Sequence, residues 1–256
     1  MLFDTHAHYD DKRFDDDRDT LLKSMPENNV GLILNPACDI ESSKKAIEYA
    51  ETYNHVYAGV GIHPEVADEC IIDSDVEIIK NLAMSSKRVK AIGEIGLDYY
   101  WVKEPELRLK QAELFRKQLA LAKELCLPVI VHDRDAHADS LSIVKEFPEV
   151  KGVFHCYAGS VEMAHELLKL GYLISFTGVI TFKNAKKAVE VVKNIPLESI
   201  MIETDSPYMA PEPFRGKRNS SLYVYRIAET IAQIKDIPVD EVINITTENG
   251  KRLFSI

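Results

Sequence analysis

Cysteine is scarce in this chain, and so is every pattern built from it. The four present, Cys38, Cys70, Cys126 and Cys156, lie far apart and form no C-x-x-C pair, which argues against a thiolate zinc site or a disulfide framework. They are expected to be reduced and mostly buried. Long apolar runs are also missing: nothing approaches the roughly 18 residues of a membrane span, and the N-terminus has neither the basic nor the apolar region of a signal peptide. These absences predict a cytoplasmic protein with no membrane partner. No Pro-, Gly- or Ser-rich linker divides the 256 residues, so a single domain over 1–256 is expected. Positive charge is in deficit, with 31 Lys and Arg against 41 Asp and Glu and a net charge of −10. That balance tells against a broad electrostatic footprint for long duplex nucleic acid and leaves any polyanionic substrate to be gripped locally. No obligate protein partner is evident.

Short apolar runs alternating with longer amphipathic segments are abundant. Eight such runs occur, Leu2 to His6, Gly31 to Asn35, Val56 to Ile62, Val89 to Ile95, Pro128 to His132, Gly152 to His155, Tyr172 to Phe176 and Ser199 to Glu203. The intervals suit one crossover helix each. In the longest helix, Leu107, Leu114 and Leu121 recur at two-turn spacing beside Phe115 and Ala122, while Lys110, Glu113 and Lys117 take other faces. This alternation predicts an α/β fold of the TIM-type (β/α)8 barrel. An open doubly wound sheet usually carries a Gly-rich phosphate turn after its first strand, and none is present.

Barrel chemistry sits at the strand C-termini, and that is where the polar residues fall. A strand sets side chains two apart on one face, so His6 and His8, with Asp4 just before, can share a metal ion at the end of strand one. His63 follows strand three, Glu94 ends strand four, His132 strand five, His155 strand six and Asp205 strand eight. His55, His137 and His165 fall near helices, where a solvated ring is the default. Setting His63 aside, four imidazoles and two carboxylates suffice for two divalent cations sharing one carboxylate, and two metals roughly 3.5–4 Å apart can clamp the attacking and leaving oxygens of a displacement at phosphorus. A structural metal would more commonly close its shell with thiolates. Imidazole-rich shells favour zinc, manganese or iron, while carboxylates and a phosphate substrate accept magnesium.

The ordered series Asp4-Thr5-His6-Ala7-His8, Gly61-Ile62-His63-Pro64, Gly93-Glu94-Ile95-Gly96-Leu97-Asp98-Tyr99-Tyr100, Pro128 to Arg134, His155-Cys156-Tyr157-Ala158-Gly159 and Glu203-Thr204-Asp205-Ser206-Pro207 resembles the TatD family of metal-dependent deoxyribonucleases over essentially the whole chain. The resemblance implies one metal on His6, His8, Glu94 and Asp205, a second on Glu94, His132 and His155, and Glu94 as the bridge. It also implies deoxyribonuclease activity, with removal of nucleotides from a 3′ end. One departure stands out: the family commonly follows its Arg-Asn element with an acidic residue and proline, whereas Arg218-Asn219 is followed here by Ser220-Ser221. A changed last rim loop is the expected consequence.

The expected catalytic groups are Asp205, which takes the proton of the nucleophilic water, and Glu94. Around them, Arg215, Lys217, Arg218 and Arg134 are candidate phosphate contacts. His63 is a candidate substrate contact, and Tyr99, with Tyr100 and Trp101, a candidate surface for stacking an unpaired base. Cys156 should turn away from His155 into the core. DNA with accessible ends or single strands suits a barrel mouth better than an intact duplex. The same constellation can instead hydrolyse a small amide, lactone or aminoacyl ester.

Overall fold

A computed structural model describes residues 1–256. Eight strands, β1 (Leu2–Asp4), β2 (Val30–Asn35), β3 (Val56–Val60), β4 (Val89–Asp98), β5 (Val129–Arg134), β6 (Gly152–Phe154), β7 (Leu173–Phe176) and β8 (Ile200–Ile202), pair in parallel in chain order. Thr5 closes the ring, its N and Oγ1 donating to the Ile202 carbonyl at 3.2 and 3.0 Å. Single helices cross from each strand to the next: α1 (Arg18–Ser24), α2 (Ile40–Thr52), α3 (Ile72–Ser85), α4 (Pro105–Leu125), α5 (His137–Lys145), α6 (Val161–Lys169) and α7 (Lys186–Asn194). Two follow β8, α8 (Val224–Lys235) and α9 (Val239–Phe254). The (β/α)8 barrel is therefore as expected, with one helix more than the strand count.

Local chemistry sets these boundaries. A capping box opens α2, where Asp39 Oδ1 accepts from Ser42 N at 2.6 Å and Ser42 Oγ from Asp39 N at 2.8 Å. Pro105 starts α4 where its missing N–H costs nothing, and Cys126 ends it in the left-handed region at φ 53°. That cap leaves Cys126 exposed; only Cys70 is fully buried, and Cys38 and Cys156 are half-buried at the rim, so the expectation of mostly buried cysteines fails. The expected face of α4 is buried at Leu114, Phe115, Leu121 and Ala122, yet Gln111 and Gln118 are buried with it. Gln118 exchanges two hydrogen bonds with the Ile62 backbone, and Gln111 accepts from Asp98 N and donates to the Pro64 carbonyl. These amides brace the loops beside His63 and Asp98.

Apolar side chains fill two compartments. One lies between sheet and helices. The other is the barrel interior, where Phe3, Leu32, Leu34, Ala91, Ile130, Val153 and Met201 meet Phe254 from α9. Phe3 and Phe254 pack edge to face with centroids 6.1 Å apart, so the extra helix plugs the N-terminal end of the barrel. The opposite end is left to polar groups.

Candidate metal centre

Glu94 does not end its strand, as expected, but sits inside β4, which runs on to Asp98. Between Ile92 and Ile95 β4 advances three residues while β5 advances two, from Val129 to Val131. The extra residue is a bulge, which re-aims a side chain. Gly93 makes it possible, because a Cβ there would stand 2.7 Å from Cβ of Ile130. His132 is likewise inside β5. His6 and His8 lie beyond β1, which stops at Asp4, and Asp205 lies three residues beyond β8 at φ 54°. Their segments are tied by Asp205 N donating to the His6 carbonyl and His8 N to the Ser206 carbonyl, at 2.8 and 2.7 Å.

The result is a buried cluster centred on Glu94. Its Oε2 faces Nε2 of His6 and His8 at 3.3 and 3.5 Å. Its Oε1 faces His132 Nδ1 at 2.8 Å and His155 Nε2 at 2.7 Å. Asp205 Oδ1 completes the first group, 3.8 and 3.5 Å from the same two nitrogens of His6 and His8. All six residues expected as metal ligands are thus brought together. Burial alone would keep Glu94 protonated, but His155, His63 and His6 and the hydrogen bond from His132 hold it well below the usual carboxylate range. Burial also opposes ionisation of Asp205, and His8, His6 and His155 overcome it.

The donor set fits divalent cations. His6 and His8 aim ring nitrogens at each other across 3.0 Å, and His132 and His155 do so across 3.3 Å. Such lone pairs repel unless a proton or a cation lies near both, and each oxygen of Glu94 faces one of the pairs. Imidazole with carboxylate and no thiolate among these six is a borderline-to-hard set, suited to zinc or manganese.

Asp4 is not part of this cluster. Its carboxylate turns to Thr204, accepting from the backbone N at 2.8 Å and from Oγ1 at 2.5 Å, and so clamps the segment leading to Asp205. Sequence reasoning missed two further carboxylates. Asp98 Oδ2 meets His132 Nε2 at 3.0 Å, which fixes the ring with Nδ1 toward Glu94; with Glu94 it raises His132, against burial, to about 9. Glu203 accepts from Cys156 N and Ser175 Oγ at 2.6 Å each and faces His155 Nδ1 at 3.5 Å. Period-two alternation could have found both, since Asp98 is four residues from Glu94 and Glu203 two from Asp205.

His63 reaches the cluster too, with Nε2 3.4 Å from Glu94 Oε1. Its Nδ1 accepts from Glu65 N at 3.2 Å, so the neutral ring carries its proton on Nε2, pointing inward. Other expected contacts are scattered. Tyr99 is held sideways, its hydroxyl donating to Asp139 at 2.7 Å and its ring under Arg108 at 4.3 Å. Arg218 is engaged by both oxygens of Asp17 and by the Arg13 carbonyl. Arg215 lies on Phe182 at 4.4 Å, Lys217 is exposed, and Arg134 lies on Tyr100 at 4.0 Å. Ser220 and Ser221 are buried, and Ser221 Oγ accepts from the Tyr9 hydroxyl at 2.8 Å. At the departure from the family pattern, Ser221 therefore packs against Tyr9, the residue next to His8.

A sequence model of the family described as TatD related DNase matches residues 3–255. The chain belongs to the TatD family. Among its relatives, the metal-dependent hydrolase YabD of Bacillus subtilis is 46% identical with both chains fully covered. The metal-dependent hydrolase YcfH of Escherichia coli K12 is 37% identical over all of this chain and 96% of that one. The crystal structure of YjjV, a TatD homologue from Escherichia coli K12, superposes with a TM-score of 0.92 at 32% identity, covering 100% of this chain and 98% of the other. This TatD protein is a metal-dependent hydrolase, and no helix in it is long and apolar enough to cross a membrane.

Proposed function

We propose that this TatD protein is a phosphodiesterase that holds two divalent cations and acts on DNA, at 3′ ends or on single strands. The observation that carries this reading is the division of Glu94: one oxygen faces His6 and His8, the other His132 and His155. His6, His8, Glu94 and Asp205 would hold one cation, and Glu94, His132 and His155 the second. Bound there, a pair of magnesium, manganese or zinc ions supplies hydroxide near neutral pH and neutralises charge on phosphoryl oxygens.

The chain's own groups do the rest. Asp205, kept ionised among imidazoles, turns one oxygen to His6 and His8 and has a second with which to take the proton of the attacking water. His63 presents an N–H to the same space, as a donor to an oxygen that gains charge in the transition state. Asp98 holds His132 in register through a hydrogen bond, and the Glu203 carboxylate faces His155 Nδ1. The site lies in the barrel mouth, where an unpaired strand enters more easily than a stacked one. The family's description as DNases adds weight to the choice of a nucleic acid. The net charge of −10 favours a second reading, hydrolysis of a small amide, lactone or aminoacyl ester.

The test is cleavage of 5′- and 3′-labelled single-stranded and duplex DNA by metal-stripped protein resupplied with magnesium, manganese or zinc. Metal-dependent ladders shortening from the 3′ end support the proposal; no cleavage by protein that binds both metals, with turnover of an ester panel, replaces it with the second reading. Asp205→Asn should lower kcat by about 10²–10⁴-fold, and near-normal turnover with metals retained would remove the proton role.

A further inference from the structure

Of the ten arginines in the chain, eight donate guanidinium hydrogen bonds to acceptors of the protein. Arg134 and Arg215 do not. Arg134 is the half-buried one of the two, at the end of β5, two residues past His132. A half-buried guanidinium with five unused N–H groups is costly unless something else uses them.

Its surroundings indicate what. Arg134 Cζ lies 4.0 Å from the ring centroid of Tyr100 and 5.5 Å from that of Trp101. The two aromatics meet edge to face with centroids 4.8 Å apart, and Lys103 Nζ stands 5.5 Å from the Tyr100 ring. These aromatics are not core: Tyr100 is 44% and Trp101 61% exposed. The group is fixed to the metal centre through one carboxylate. Asp98 Oδ1 accepts from Trp101 N at 2.8 Å, and Asp98 Oδ2 holds His132 Nε2 at 3.0 Å.

We infer that Tyr100, Trp101 and Arg134 form a nucleotide subsite on the β4–β5 side of the mouth, which takes one unpaired nucleotide of the substrate strand next to the phosphodiester being cleaved. This rests on the phosphodiesterase reading above. The base stacks on the indole and on the guanidinium plane, and the free N–H groups of Arg134 donate to the adjoining phosphate. The expected stacking role of Tyr99 thus passes to its two neighbours, because the Tyr99 ring is spent on Arg108 and Asp139. A small neutral ester offers nothing for such a surface to grip.

Trp101 is the sole tryptophan, so its emission reports this subsite directly. Metal-loaded protein is titrated with phosphorothioate pentathymidylate, which resists hydrolysis. The subsite predicts saturable quenching, weakened by added salt, with the apparent Kd raised about tenfold in Arg134→Gln. In parallel, kcat/KM for pentathymidylate divided by kcat/KM for bis(p-nitrophenyl) phosphate should fall about tenfold in Arg134→Gln and in Trp101→Ala. Unmoved emission together with an unchanged ratio in both variants would overturn the subsite while leaving the nuclease standing. An enzyme that cleaves neither diester would overturn the phosphodiesterase reading instead, and the titration, needing no turnover, still decides whether the nucleotide binds here.

Discussion

The two ends of this barrel are built from the same eight strands and could hardly differ more. At the N-terminal end Phe3, Leu32, Leu34, Ala91, Ile130, Val153 and Met201 close on Phe254. A few residues further on, within those strands or just past their ends, His6, His8, His132, His155, Glu94 and Asp205 converge. The apolar end lowers free energy by excluding water. The polar end raises it, because six desolvated ionisable groups converge with ring nitrogens as close as 3.0 Å. One half carries the fold so that the other can afford the strain of a site.

The polar end depends most on Glu94. Glu94→Ala removes the carboxylate facing both imidazole pairs and should abolish turnover and lower bound metal, measured by elemental analysis, with the circular dichroism of the barrel retained. The mirror experiment is Phe254→Ala, which should cost about 3–5 kcal/mol of stability in urea unfolding while the folded fraction keeps its metal content. Chelation sharpens the same contrast: stripping metal should end hydrolysis but leave a folded barrel, detected as an unchanged spectrum with a lowered Tm.

Smaller effects grade the boundary between the halves. Asp98→Asn keeps the size of the side chain but weakens the hold on His132, and metal affinity should fall about 10–100-fold by competition with a chelating dye. Asp17→Asn breaks only an exposed pair with Arg218 and should shift stability by no more than about 1 kcal/mol. The hydrogen bond from Arg218 depresses the Asp17 carboxyl in the folded state. The contribution is therefore present above the unfolded carboxylate value and is lost as pH falls through the folded one. An equal Tm difference between wild type and variant at neutral and acid pH would count against that assignment.

The barrel, and the residues that converge as candidate metal ligands, were legible in the sequence because both follow local periodicities. Eight apolar runs separated by helix-length amphipathic segments leave few topologies, and His6, His8, His132, His155 and Asp205 each stand at or just beyond the rim end of such a run. What it left open is what depends on register and on side-chain direction. The bulge between Ile92 and Ile95 decides where Glu94 points, and that is a matter of pairing with β5. Pairing across loops decides which basic residues are free: Arg218 looked like a rim clamp until Asp17, 201 positions away, closed on it, whereas the Arg134 guanidinium lies against Tyr100 and Trp101 with no hydrogen bond to the protein. Buried Gln111 and Gln118 are invisible to hydrophobic patterning, since an amide is buried only where backbone groups wait to receive it. Composition and spacing choose the fold and the chemistry; tertiary contacts choose which groups remain unsatisfied, and those are the ones available to a substrate.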